Sequence, residues 1–128
     1  MKFPLAVRYS DYDTKGHVNN AFYLTYFEYA KHLLWRDVWK RHPDPPFVVA
    51  EATIQFKSPA MVGEPLEMDI STREIKNRSW IWQFRITHAN DGRVVAEGST
   101  VQVYYDYTTR QAIPIPEDVR ALLESGKP

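Results

Sequence analysis

Six polar side chains crowd the segment just ahead of the chain's longest helical pattern: Asp11, Asp13, Lys15, His17, Asn19 and Asn20. Two carboxylates and a histidine so close together could bind a metal, form a general acid/base pair, or only solvate a loop and cap a helix. Their position favours chemistry, because the amino end of a helix offers free N–H groups and the positive end of its dipole to whatever docks there. Such donors can hold a developing oxyanion, which is the largest single contribution in much acyl-transfer catalysis.

The element that must position these groups runs from Asn20 to about Arg41, with Asn19 as N-cap. Phe22, Tyr26, Ala30, Leu33 and Leu34 recur at three- and four-residue steps, and Tyr23, Leu24 and Phe27 fill adjoining positions. This pattern predicts a central helix that is apolar around most of its circumference, with a narrow polar stripe through Thr25, Glu28, Lys31 or His32, and Arg36. The cluster HPDPP, from His42 to Pro46, ends it, because proline lacks the amide donor and disfavours helical geometry in the residue before it.

Ahead of the polar loop, Phe3 to Val7 reads as a short strand. Beyond the helix the pattern changes to period two. Ala50, Ala52, Ile54 and Phe56 share one face of a strand, as do Leu66, Met68 and Ile70, and then Trp80, Trp82, Phe84 and Ile86. Glu51, an acid on the first of these strands, reads as a solvent-facing or interface residue. The links SPAMVGEP, IKNRS and ANDGR are short, and Asp91-Gly92 is a strong hairpin signal, so the strands are expected to form an antiparallel meander. A last strand, Arg93 to Asp106, precedes a short helix over Glu117 to Leu123. The expected fold class is α+β: a long central helix wrapped by a curved five-stranded antiparallel sheet, with a short C-terminal helix.

With 128 residues the chain is sized for one domain, and 44% hydrophobic residues are enough to build a core without covalent staples. Sixteen basic side chains balance sixteen acidic ones, which argues against bulk attraction to nucleic acid or an anionic membrane. A polyanionic ligand must therefore be met by local charge. The absence of cysteine excludes disulfides, a thiolate nucleophile and a zinc finger. No signal-peptide core or spanning segment is evident, so the expectation is a soluble, unprocessed, cytoplasmic protein.

The run RYSDYDTKGHVNNAFYLTYFEYAK, followed by QFKSPAMVGEPLEMD, resembles the hotdog-fold acyl-CoA thioesterases of the hydroxybenzoyl-CoA thioesterase-like family, from Val7 to about Tyr105. The resemblance implies a single hotdog domain over residues 1–128, a homodimer or homotetramer with active sites at the subunit interface, an acyl-CoA substrate, and no cofactor or metal. It makes Asp13 the catalytic carboxylate, acting as nucleophile on the thioester carbon or as general base toward water, either of which requires an ionised acid. The backbone N–H of Asn20 matches the family's donor to the thioester carbonyl oxygen, and His17 supports the loop. The H-V-N-N string is also similar to that of plant acyl-carrier-protein thioesterases, although Lys15 stands where those have asparagine.

Because the family's acyl pocket borders this helix, the resemblance also makes Tyr23 a substrate contact. For the phosphates of coenzyme A, the local cations are Lys57 beside Ser58, and Lys76 with Arg78 before Ser79; the family's nucleotide contacts fall near these stretches. Asp11 reads as a loop or capping acid, and Glu28 with His32 as a surface or interface pair lacking a third metal ligand. Two alternatives stand beside the acyl-CoA thioesterase: an acyl-carrier-protein thioesterase docking its acidic carrier on Lys31, Arg36, Lys40 and Arg41, and a non-catalytic acyl-CoA binding module.

Overall fold

The computed structural model describes residues 1–42 and 44–128, so Pro43 of the HPDPP stop signal lies outside the described residues. β1 (Lys2–Leu5) leads through the polar loop into a continuous helical run. That run opens as a 3-10 turn over Asn20–Phe22, continues as α1 (Tyr23–His32), and finishes in π-helical geometry over Leu33–Val38. There follow β2 (Phe47–Phe56), β3 (Leu66–Ile75), β4 (Ser79–His88), β5 (Val94–Asp106), the two-residue β6 (Gln111–Ala112) and α2 (Glu117–Ser125).

The antiparallel strands take the order β1-β3-β4-β5-β2, with β6 adding to β5. β3, β4 and β5 form the expected meander. β2 does not join it at β3: it pairs with the far side of β5, from Phe47 opposite Tyr104 to Phe56 opposite Ala96. The link from Lys57 to Pro65 is therefore a crossing and not a hairpin. Its own bonds hold it there, for Ala60 O accepts from Val18 N at 2.8 Å and Val62 N donates to Gly16 O at 3.0 Å. Glu64 adds a further tie, accepting from Met61 N at 2.6 Å and from Arg93 Nη2 at 2.7 Å.

The alternation holds on β3 and β4, where Leu66, Met68, Ile70, Trp80, Trp82, Phe84 and Ile86 all face the core. On β2 it fails to bury a face. Most of that strand, Ala50 to Thr53 included, is exposed, as befits the free edge of the sheet. The helix is also more one-sided than its sequence suggests. Tyr23, Tyr26, Phe27, Ala30 and Leu34 turn inward, whereas Leu24 and Tyr29 are exposed. Lys31, placed by its charge on the polar stripe, is instead buried, with its ammonium bonded to Glu28.

The helix can lie this close because of Gly98 on β5: a Cβ there would stand 2.1 Å from Thr53 O and 3.1 Å from the Phe27 ring. No side chain fits, and Phe27 stacks on Phe84 with ring centroids 4.4 Å apart. The helical run ends at Val38, three residues before Arg41, as Trp39 N bonds Leu34 O five residues back and Lys40 takes a left-handed φ of 55°. Beneath this turn Trp35, Phe47, Trp80 and Trp82 close the core, Phe47 meeting the other three edge to face at 5.3–5.5 Å. α2 seals the flank through Val119 and Leu123, spaced one turn apart and fully buried. No helix among the described residues is long and apolar enough to cross a membrane.

Candidate active site

Asp13 opens a tight loop. Its backbone O accepts from Gly16 N at 3.2 Å, its N donates to His17 O at 2.7 Å, and Gly16 supplies the φ of 77° that closes the turn. The same fold aims two backbone donors at one carboxylate oxygen: Lys15 N at 2.9 Å and His17 N at 3.0 Å both reach Oδ1. Oδ2 has no protein partner among the described residues. The His17 N–H bond, reinforced by that of Lys15, holds the exposed carboxyl below its ordinary pKa, so Asp13 is ionised at neutral pH.

Asp11, two residues earlier, is built for a different task. It is fully buried, and it accepts from Arg8 N at 3.1 Å, Arg8 Nε at 3.1 Å and Tyr26 Oη at 2.8 Å. Burial alone raises its pKa, but the Tyr26 and Arg8 bonds overcome that and the net shift is downward. Its backbone O also accepts from Asn19 N at 2.8 Å. Asp11 thus ties the loop to α1 through Tyr26 and sets the start of the helical run. It is a capping acid, as the sequence allowed, closing the 3-10 turn over Tyr9–Asp11 through Arg8 N, but it is buried inside the fold and not solvated.

Asn19 caps as expected, its side chain accepting from Ala21 N at 3.0 Å. With Ala21 N taken in this way, the N–H of Asn20 is left without a protein acceptor among the described residues, at the positive end of the helix. Asp13, His17, Asn20, Tyr23, Lys57 and Ser58 line one open cleft of ≈ 530 Å³. Lys15, Val18, Asn19, Phe56 and Pro59 complete it. Of these, Lys15 was legible from its place between Asp13 and His17, and Phe56 from the period of β2; Pro59 carried no signal until the crossing was known.

The site residues named for coenzyme A divide. Lys57 reaches the cleft with its side chain part-exposed, 3.6 Å from Glu97. The Ser58 hydroxyl is occupied, donating to Val94 O at 2.8 Å, and so anchors the crossing strand end. Arg78 and Ser79 are not brought to the cleft within one protomer. Ser79 pairs with Val103 while the cleft end of β4 pairs Ile86 with Ala96, a separation along the strand of roughly 23 Å. Of the basic surface suggested for an acidic carrier, Lys40 stays exposed and the other three cations are engaged. Lys31 is buried, Arg36 is paired with Asp37, and Arg41 is paired with Asp118. Among the described residues no group of three or more His, Asp or Glu side chains is placed to hold a metal ion.

Comparison with known proteins places the fold among thioesterases. The family described as the thioesterase-like superfamily matches residues 7–123. The long-chain acyl-CoA thioesterase FadM of Escherichia coli K12 is 28% identical over 97% of each chain. A thioesterase from Thermus thermophilus, solved with coenzyme A and zinc, superposes with a TM-score of 0.82 at 28% identity, over 99% of this chain and 95% of that one. The gentisyl-coenzyme A thioesterase BH1999 gives 0.82 at 26% identity, over 94% of this chain and 99% of its own.

Proposed function

The chain belongs to the thioesterase-like superfamily, and from that premise we propose that it hydrolyses an acyl-CoA thioester to a free carboxylic acid and coenzyme A. The observation that carries this reading is one cleft holding both an ionised carboxylate with a free oxygen, Asp13, and an unpaired helix N-terminal donor, Asn20 N–H. The thioester carbonyl oxygen accepts from Asn20 N–H, which stabilises the negative charge developing as the carbonyl carbon becomes tetrahedral. Asp13 either attacks that carbon directly or takes the proton of an attacking water. Collapse of the tetrahedral species expels the coenzyme A thiolate: on the water route this leaves the free acid and the proton taken by Asp13 passes to the thiolate, and on the direct route it leaves an Asp13–acyl anhydride that a water then hydrolyses to the free acid and the restored carboxylate. Asp13 stays held by Lys15 N and His17 N throughout, so little reorganisation accompanies the charge movement. His17 supports the loop through its backbone bonds to Asp13, and the reaction as proposed needs no metal or organic cofactor.

A second copy of the chain completes the proposal. β2 presents ten residues of unpaired sheet edge, which isolated proteins avoid and partner strands use. Antiparallel pairing of two β2 edges about a twofold axis brings the Phe47 end of one sheet toward the Phe56 end of the other. Arg78 and Ser79, too distant within their own protomer, approach the cleft of the neighbour, where Lys57 and Lys15 offer further positive charge to the phosphates of coenzyme A. A cytoplasmic location goes with this substrate class, since coenzyme A esters are made and consumed inside the cell.

The test is thiol release from a panel of short, long, hydroxylated and aromatic acyl-CoAs. The chain has no cysteine, so a thiol reagent reads only the product. Turnover of at least one ester, lowered about a hundredfold or more in Asp13→Asn and retained in Asn20→Ala, is the expected result. Absence of turnover across the panel would remove the reading.

A further inference from the structure

Two series of hydrogen bonds run in opposite directions between Asp13 and the link that crosses from β2 to β3. In the first, Val62 N donates to Gly16 O at 3.0 Å, and the same peptide unit passes on through His17 N to Asp13 Oδ1, also at 3.0 Å. In the second, Asp13 N donates to His17 O at 2.7 Å, and that peptide unit passes on through Val18 N to Ala60 O at 2.8 Å. The unit that holds Ala60 O then ends on a charge, for Met61 N donates to Glu64 Oε1 at 2.6 Å. Both peptide units that flank His17 are thus held between Asp13 on one side and the crossing on the other, where His17 and Met61 form an antiparallel bridge.

Glu64 fastens this arrangement to the sheet. A turn closed by Glu64 N on Met61 O at 3.2 Å brings its carboxylate back to Met61 N. The other carboxylate oxygen accepts from Arg93 Nη2 at 2.7 Å and lies 3.1 Å from His88 Nε2. Asn90 N donates to Nδ1 of that ring at 3.3 Å, so a neutral His88 carries its proton on Nε2, facing Glu64; Asp91 Oδ1 stands 3.4 Å from Nδ1. His88 ends β4 and Arg93 immediately precedes β5, so both anchors sit on the hairpin that joins two central strands. Aligned peptide units polarise one another, and a carboxylate at the accepting end strengthens the bonds behind it. The start of the crossing is held separately, by Lys57 N and Ser58 N on Val95 O at 2.8 and 3.2 Å, so Lys57 keeps its place in the cleft without Glu64.

Resting on the thioesterase reading, we propose that Glu64, which does not line the Asp13 cleft, is a positioning residue of the reaction: its carboxylate fixes the crossing, the crossing fixes the two peptide units beside His17, and these hold the Asp13 carboxylate toward the thioester carbon or its water. It touches no reacting atom. Its effect reaches the site only through the backbone.

The experiment compares Glu64→Ala and Glu64→Gln with the wild type in two measurements: steady-state kinetics on an acyl-CoA that the wild type turns over, and titration of the Asp13 carboxyl by carbon-13 NMR, assigned through Asp13→Asn. We expect Glu64→Ala to lose kcat by about tenfold or more with KM within a fewfold, since a misplacement of about 1 Å at a reacting group costs about a hundredfold. Glu64→Gln keeps an acceptor for Met61 N without the charge and should fall between. The His17 N–H bond is the largest cause of the lowered Asp13 pKa, so the carboxyl should titrate at higher pH in both variants than in the wild type. Lys15, His17 and Lys57, the charged and titratable neighbours in the same cleft, are the same in all three proteins. Melting curves verify folding, and the glutamine variant carries both measurements if the alanine variant does not fold. A folded variant with unchanged kcat overturns the proposal. So does a loss of kcat with the Asp13 titration unmoved, which would confine Glu64 to general stability. The titration needs no substrate and so separates the two readings. A shifted Asp13 carboxyl in a protein that turns over no ester removes the thioesterase reading and keeps the link from Glu64 to Asp13, while turnover with an unmoved carboxyl does the reverse.

Discussion

At the end of the sheet where β2 leaves β5, Tyr23 and Phe56 meet edge to face and the space beyond them is open to solvent; at the far end Trp35, Trp80 and Trp82 pack edge to face around Phe47. Both ends are lined by aromatic rings between the helical run and the sheet. They differ in what lies above the rings. At the open end the helix begins, its first N–H without an acceptor among the described residues, and a loop places Asp13 in the same cleft. At the closed end the helix widens to π geometry and Trp39 folds over the gap, its ring 6.1 Å from that of Trp82. The lesson is that one helix, lying on one sheet, leaves its start open for the proposed chemistry and closes its finish into the core.

The comparison breaks most visibly at the closed end. Trp82 is fully buried, and Trp82→Ala should cost ~3–5 kcal/mol of stability in a denaturant titration while leaving kcat of the remaining folded protein within a fewfold. Loss of kcat at full folding would show that the closed end shapes the site after all. At the open end the reverse split is expected. Asp13→Asn should lower kcat by about a hundredfold or more, with KM within about tenfold and the melting curve unmoved, because the exposed carboxylate acts mainly in the transition state.

Asp11 belongs to both regions and sharpens the line between them. Asp11→Ala strands the Tyr26 hydroxyl and frees Arg8, for an expected loss of ~1–3 kcal/mol, and a loosened loop should reduce kcat by less than Asp13→Asn does. The pH dependence separates the pair from other groups. Both carboxyls are depressed in the folded state, so the stability Asp11 contributes is present above its unfolded pKa of about 3.9 and is lost as pH falls through the lower folded value. Asp13 likewise keeps its charge down to that acid range. An activity limb between pH 5 and 8 must come from a group other than these two carboxyls. The smallest effect concerns Arg78. Charge reversal there should raise KM for coenzyme A esters a fewfold at low salt and less at high salt if a partner subunit brings it to the cleft. A KM that does not move would confine Arg78 to its own turn.

Much of the fold was readable because periodicity reports burial directly. Trp80, Trp82, Phe84 and Ile86 alternate and are buried; Asn19 precedes an apolar helical pattern and caps it. The reading failed where burial depends on a neighbour far away in sequence. Ala50 and Ala52 alternate correctly, yet β2 is an edge, and no local pattern tells an edge strand from a central one. Lys31 is charged and still buried, because its ammonium lies over the Phe47 ring, 5.9 Å from the centroid, and finds Glu28 one turn back. In the site, Asp13, His17 and Asn20 were legible as a contiguous string. The different fate of Asp11 was not, since it rests on Tyr26 lying fifteen residues on.

The sequence alone determined the local chemistry: which residues supply a carboxylate, a free helix N-terminus and a tight glycine turn, and which strands carry an apolar face. These follow from spacing and backbone preference, which act over a few residues. Tertiary structure decided the rest. It sent β2 across β5 so that Phe56, Lys57 and Pro59 became walls of the Asp13 cleft, and it carried Arg78 to the opposite end of the sheet. It also gave the Tyr26 hydroxyl a buried acceptor in Asp11, fifteen residues back. Contacts between distant segments depend on strand order and crossing, and no short-range pattern encodes them.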